Sequence, residues 1–198
     1  SEVRLNVNSS LRYAHKWKAS APREVWIAGE AFFTIRHKNN NQRFVVHTPD
    51  MDVQVTGTAF NVNTRRVKTQ VVLNNGVVKL ALHRRGNSQA PIVMKPGDMV
   101  TYSATTNELT NKQVNPEVYT SWQSKRLLFT DTPIAEVIKS LQDNLGITIE
   151  LQDESLGRQT FTGTIPTDNV DVFFRILSKS LPVSVTKTGA NSYRINQQ

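Results

Sequence analysis

The sequence predicts a mainly β chain followed by a small α+β region. An all-β domain, solenoid-like or a curled sandwich, is expected over 1–118, and a βαβ-repeat domain with two helices on one sheet over 119–198. Three observations carry this. The first 110 residues hold nine short runs rich in β-branched and aromatic residues. The apolar spacing changes from period 2 to period 3.6 near residue 130. The last third repeats one strand–helix–strand design twice.

Taken in order, the chain starts abruptly at Ser1 in strand-like "VRLNV", which reads as a piece of something longer. The strand candidates are "EVWIA", "AFFTI", "RFVVH", "VQV", "AFNVN", "TQVVL", "VVKLALH", "IVM" and "MVTY". Turn chemistry separates them. "HKNNNQ" (37–42) is a polar loop, and "RRGN" (84–87) and "KPGD" (95–98) are turns. "NNG" (74–76) signals a hairpin, because Asn-Gly accepts the positive φ of a type I′ turn.

One signature occurs twice: "IAGEAFF" at 27–33 and "VTGTAF" at 55–60. Aligned on Gly29 and Gly57 the spacing is 28 residues, but aligned on Phe33 and Phe60 it is 27. A one-residue slip turns every side chain to the other face, so one copy is expected to carry a bulge. Glycine inside a strand pattern marks a bend or a close backbone approach. Gly29, Glu30, Phe33, Gly57, Thr58, Phe60, Gly76, Pro96 and Gly97 are therefore read as architectural. Glu30 is expected to pair with an arginine or to cap backbone, since no second carboxylate lies near it in sequence to complete an acid/base pair.

The last third changes character. Ile134, Val137, Ile138, Leu141 and Leu145 lie at offsets 0, 3, 4, 7 and 11, and Val170, Phe173, Phe174, Leu177 and Leu181 repeat those offsets. This predicts amphipathic helices over 133–144 and 169–180, packed on a shared sheet. Thr132 is expected to cap the first helix with Pro133 at its first position, and Gly146 to end it. Asp168 or Asn169 is the expected cap of the second. "LLF" (127–129) and "TFTGTI" (160–165) precede the helices as strands, "ITIEL" and "VSV" follow them, and "YRI" (193–195) closes the sheet as an edge. The stretch 110–124 reads as a semi-ordered linker that Tyr119 and Trp122 pin to one of the domains.

Composition restricts the chemistry. The absence of cysteine excludes disulfides, thiolate catalysis and Cys-bound metals. His15, His37, His47 and His83 are dispersed without metal-ligand spacing. "DTP", "TPD" and "QDES" read as turn and cap residues, and no nucleophile elbow, P-loop or dinucleotide fingerprint occurs. The residues alone point to a binding or relay module without catalysis or cofactor. The net charge of +8 sits entirely in residues 1–120, as scattered singles and pairs rather than a dense block. That pattern favours solubility over nucleic-acid binding. A rival reading is a carbohydrate- or anion-binding β module, with Trp17, Trp26, Tyr13 and Tyr102 lining a groove.

"REVWIAGEAFFTIRHKNNNQRFVVHTPDMDVQVTGTAFNVN", with "LNNGVVKL" and "MKPGDMVTY" after it, resembles the FecR-like anti-sigma factors, the ferric-dicitrate-sensor family. Residues after Trp122 resemble the C-terminal extension of Bacteroidetes-type members, itself similar to the short N-terminal domain of secretins and TonB-dependent receptors. Gln42-Arg43 departs from the family's proline before Phe44, "LNNG" lacks its glutamate, and "SWQSKRLLF" lacks its glycine.

The resemblance implies the periplasmic part of an inner-membrane, single-pass protein. The expected partner is the N-terminal signalling domain of an outer-membrane TonB-dependent transducer for a siderophore or glycan. Sigma factor and membrane would be engaged only by a cytoplasmic segment and a transmembrane helix outside this sequence. An exposed strand edge lets a partner extend a sheet, and the candidate edges are Leu127, Leu128 and Phe129, and Tyr193, Arg194 and Ile195.

Overall fold

The structure, a computed structural model, describes residues 1–83 and 90–197. The turn expected at 84–87 lies outside the described residues. The chain forms two compact units, Ser1–Thr120 and Ser121–Gln198.

In the first unit every regular element up to residue 113 is a strand, among the described residues. One six-stranded sheet runs in the order β1 (Glu2–Leu5), β4 (Glu30–Ile35), β7 (Thr58–Asn63), β8 (Thr69–Asn75), β11 (Asp98–Ser103) and β12 (Glu108–Gln113). The other runs β10 (Ile92–Met94), β9 (Val78–Leu82), β6 (Met51–Val55), β5 (Phe44–His47), β3 (Arg23–Ala28) and β2 (Ser10–Tyr13). We call them the first and second sheets. The pairings are antiparallel apart from β3 with β5, which makes this unit a curled sandwich and not a solenoid. Alternate residues of both sheets meet in one core: Ala31, Phe33, Phe60, Val62 and Leu73 from the first, Val25, Val46, Val53 and Leu80 from the second.

The two copies of the glycine signature lie side by side. β4 pairs antiparallel with β7, Phe33 stands opposite Phe60, and their rings stack at 5.0 Å. The expected bulge falls next door. Ala59 pairs with Asn75 but Phe60 with Leu73, so Asn74 is the extra residue and it belongs to β8. The "NNG" signal does not close a hairpin, because β8 and β9 lie in different sheets. The stretch 110–124 contains the boundary between the two units and is more ordered than expected. It holds the end of β12, helix α1 (Pro116–Thr120), which packs on β8, and a 3₁₀ turn, Ser121–Ser124.

The second unit has two helices with single apolar stripes, α2 (Ile134–Leu145) and α4 (Asp171–Ser180), and a short α3 (Glu154–Arg158). Their strands do not share one sheet. β13 (Arg126–Pro133) and β15 (Thr160–Pro166) form a two-stranded ribbon. β14 (Thr148–Leu151), β17 (Ser192–Gln197) and β16 (Val183–Gly189) form a separate three-stranded sheet, in that order. Each β-α-β repeat therefore starts in the ribbon and ends in the other sheet. Tyr193–Ile195 is not an edge, since β17 pairs with β14 on one side and β16 on the other.

The caps differ from expectation too. β13 runs through Thr132 to Pro133, so Thr132 cannot cap α2; the Gln159 carbonyl accepts the Ile134 N–H instead. Neither Asp168 nor Asn169 caps α4, whose flanking residue is Val170. Gly146 ends α2 as expected, at φ +64 with its N–H on the Gln142 carbonyl. Asp153 caps α3 by accepting the Ser155 N–H at 2.7 Å. Trp122 packs against the core of this unit.

Candidate functional site

The signature residues build corners. Gly29 lies between β3 and β4, Gly57 between β6 and β7, Gly76 between β8 and β9, and Gly97 between β10 and β11. At each of these points the chain crosses from one sheet to the other. Gly29 has φ +93, and a Cβ there would stand 2.4 Å from Ser9 Oγ and 2.8 Å from Ser9 Cα. Thr64 locks the corner, its hydroxyl accepting the Gly29 N–H at 3.0 Å. Two corners touch: a Cβ on Gly76 would stand 2.7 Å from the Gly57 carbonyl, and the Thr58 hydroxyl donates to the Val77 carbonyl at 3.0 Å. Pro96 and Gly97 form the last corner, closed by the Asp98 carboxylate accepting the Lys95 N–H at 2.7 Å.

Glu30 is buried beside the first corner. Its carboxylate accepts from Asn61 Nδ2 at 2.8 Å and Asn6 Nδ2 at 2.7 Å. Its hydrogen-bond donors are these two amides, and the expected nearby arginine is Arg65, whose charge favours the carboxylate. Burial pushes the Glu30 carboxyl up, and the bonds from Asn61 and Asn6 pull part of the way back. The folded state thus binds this proton more tightly than the unfolded chain does. Stability from Glu30 is fully present below the ordinary glutamate range and is lost as pH rises through its raised value. Glu30→Gln removes that dependence. The stability of the wild type minus that of the variant should fall as pH rises across this window and stay flat outside it. Urea midpoints at a series of pH values check this, and a difference that grows with pH would contradict it.

The aromatic groove does not form. Tyr102 is fully buried. Arg12 pairs with Trp26 and Tyr13 with Val25 across β2 and β3, so Tyr13 and Trp26 lie on opposite faces. The Trp26 ring is taken by its neighbours in the row: the Arg12 guanidinium lies 4.5 Å over it and His47 stacks at 4.9 Å. The row continues as His47 Nδ1 and His83 Nε2 share Asp52 Oδ1, at 2.8 and 3.0 Å. Among the described residues no group of three His, Asp or Glu side chains could hold a metal ion.

The predicted edge residues separate. On β17, Ile195 is fully buried, Tyr193 packs on Phe174 at 4.6 Å, and Arg194 donates to Glu150 at 2.9 Å across to β14. On β13, Leu127 and Phe129 are buried in the core, and the outward N–H of Leu128 donates to Ser121 Oγ at 3.0 Å. The Thr130 N–H is likewise taken, by Thr132 Oγ1. Side chains thus blunt the β13 edge.

Its partner strand is different. Since the Leu128 N–H points away from β15, Leu128 and Thr164 face each other as a non-hydrogen-bonded pair. Alternation along β15 turns the N–H and C=O of Thr160, Thr162 and Thr164 to the side that no strand covers; β13 bulges opposite Thr162, whose hydroxyl accepts the Asp131 N–H at 2.9 Å. All three are exposed. One signal in the sequence favours β15 over β13 as the open edge. It is Pro166, which lacks an N–H at an outward position opposite Arg126.

Residues 1–79 match the model of the family described as "FecR protein", and residues 126–194 that described as "FecR, C-terminal". A crystal structure of a candidate anti-sigma factor from Parabacteroides distasonis matches with TM-score 0.82 at 23% identity, covering 99% of this chain and 90% of that one. A second crystal structure of a candidate anti-sigma factor from the same organism gives TM-score 0.80 at 23% identity, covering 99% and 89%. At these identities the likeness is one of fold. No curated protein sequence matches.

Proposed function

The chain belongs to the FecR family of anti-sigma factors, and from that premise we propose that it relays a signal in the periplasm by binding the signalling domain of an outer-membrane TonB-dependent transducer. The relay acts on a sigma factor through a cytoplasmic segment outside this sequence. Within the described residues no helix is long and apolar enough to cross a membrane.

The observation that carries the reading is the second unit. It matches the family's C-terminal region and presents the exposed β15 edge. A strand from the partner adds there, paired to the outward groups of Thr160, Thr162 and Thr164. Main-chain bonds supply the affinity, and the threonine side chains leave room for a varied partner sequence.

Thr164→Pro removes one outward donor without touching the core. It should weaken binding of the signalling domain by roughly tenfold, about 1.4 kcal/mol, with circular dichroism unchanged. Calorimetry of the full chain measures this. Undiminished binding by a folded variant would move the docking surface off β15.

A further inference from the structure

The first unit carries a basic pole. Residues 14–23 and 36–43 form two loops that are distant in sequence and hydrogen-bonded in the fold. Asn40 Nδ2 donates to the Ala19 carbonyl at 3.1 Å, and Gln42 Nε2 donates to the carbonyls of Lys18 and Ala21 at 2.9 and 2.7 Å. Counting Arg23, where β3 begins, these stretches carry six Lys and Arg and no Asp or Glu. Lys16, Lys18, Arg36, Lys38 and Arg43 are exposed; none is in salt-bridge contact with a carboxylate among the described residues, and the acid whose charge reaches Arg36 is Glu2, itself bridged to Arg4.

Two further observations show that this is more than a solvated charge run. Arg23 is buried beneath the loops, only 6% exposed, with no carboxylate on it. Its guanidinium lies 5.2 Å over the Phe44 ring, donates to Ser1 Oγ at 3.1 Å and to the Gln42 carbonyl at 3.4 Å, and leaves its Nε without a partner. A cation held out of water without an anion keeps a positive field on the surface above it. Beside the lysines, Tyr13 and Trp17 pack against each other at 6.0 Å and stay 59% and 39% exposed. Exposed tyrosine and tryptophan flanked by lysines suit a membrane–water interface, where the rings sit at headgroup depth and the cations meet phosphates.

We propose that this pole, made by the 14–23 and 36–43 loops, docks the first unit on the phosphate headgroups of an anionic lipid surface. The inference is independent of the transducer reading, because a lipid surface and a partner strand engage different units.

The test is sedimentation of the full chain with vesicles of phosphatidylcholine, with and without phosphatidylglycerol, over a range of salt. Binding should need phosphatidylglycerol and should weaken as salt rises. The triple variant K16E/K18E/K38E changes exposed residues only and should fold. Each lost lysine should lower partitioning by roughly fivefold. Tryptophan fluorescence should shift to the blue on vesicles, and that shift should vanish in Trp17→Phe, a readout that does not depend on the triple variant. Equal binding to both vesicle types would overturn the proposal, as would full binding by the triple variant. Release from vesicles by inorganic phosphate at headgroup concentration would assign the pole to a free anion instead. Failure on vesicles combined with loss of an acidic protein partner in the triple variant would assign it to protein docking.

Discussion

Gly29→Val should lower the stability of the chain by about 3 kcal/mol or more. Two costs add. A valine at φ +93 is held in a backbone region that β-branched residues avoid, which costs on the order of 1–3 kcal/mol. Its Cβ would also stand 2.4 Å from Ser9 Oγ and 2.8 Å from Ser9 Cα. Ser9 cannot simply withdraw, because its hydroxyl accepts the Glu30 N–H at 2.9 Å. Gly57→Val is the internal comparison. Gly57 does not need positive φ, and its Cβ would meet His37 Cβ at 3.0 Å on an exposed loop that can give. Its cost should be nearer 1 kcal/mol. Thermal melting of both variants tests the pair. A Gly29→Val protein that melts like the wild type would mean that the corner does not depend on glycine.

The second large effect lies in the core. Phe33 and Phe60 are fully buried, face each other across β4 and β7, and stack with their planes 10° apart. Phe33→Ala should cost about 3–5 kcal/mol, since the cavity opens between two sheets whose neighbours are already packed. The melting temperature should drop by on the order of 10 °C. A loss below about 1 kcal/mol would show that the sandwich collapses onto the gap.

These residues also show what the sequence reveals and what it hides. The helices were legible: 133–144 and 169–180 were expected, and Ile134–Leu145 and Asp171–Ser180 are found, because a single apolar stripe at period 3.6 has one local explanation. The corner glycines were legible as bends for the same local reason. Strand neighbours were not. "YRI" alternates equally well at an edge or in the middle, and its central place depends on parallel pairing with Thr148–Leu151, more than 40 residues earlier. "NNG" has hairpin chemistry, yet the flanking strands leave for different sheets.

β12 is not legible in the sequence, because all six of its residues are exposed and it shows no apolar alternation. Thr132 looked like a cap beside a proline, but the strand continues through it and Gln159 satisfies the helix end. The basic pole was invisible as a block, since its charges lie in two stretches that only the Asn40 and Gln42 hydrogen bonds bring together.

The same limit governs the docking surface. Leu127–Phe129 was a reasonable edge from its apolar pattern, but whether an edge is open depends on what lies across it. Ser121 comes from a turn just before β13 and takes the Leu128 donor. Thr160, Thr162 and Thr164 are polar and unremarkable in sequence, and they acquire their meaning from the phase of hydrogen bonding in the ribbon.

The central claim is that this chain receives a transducer's signalling domain. Isothermal titration calorimetry of the full chain with the signalling domains of the TonB-dependent transducers encoded in its own genome tests it most directly. Saturable one-to-one binding to at least one of them is expected, weakened by Thr164→Pro. Absence of binding to every one of them, with the chain shown to be folded, would contradict it.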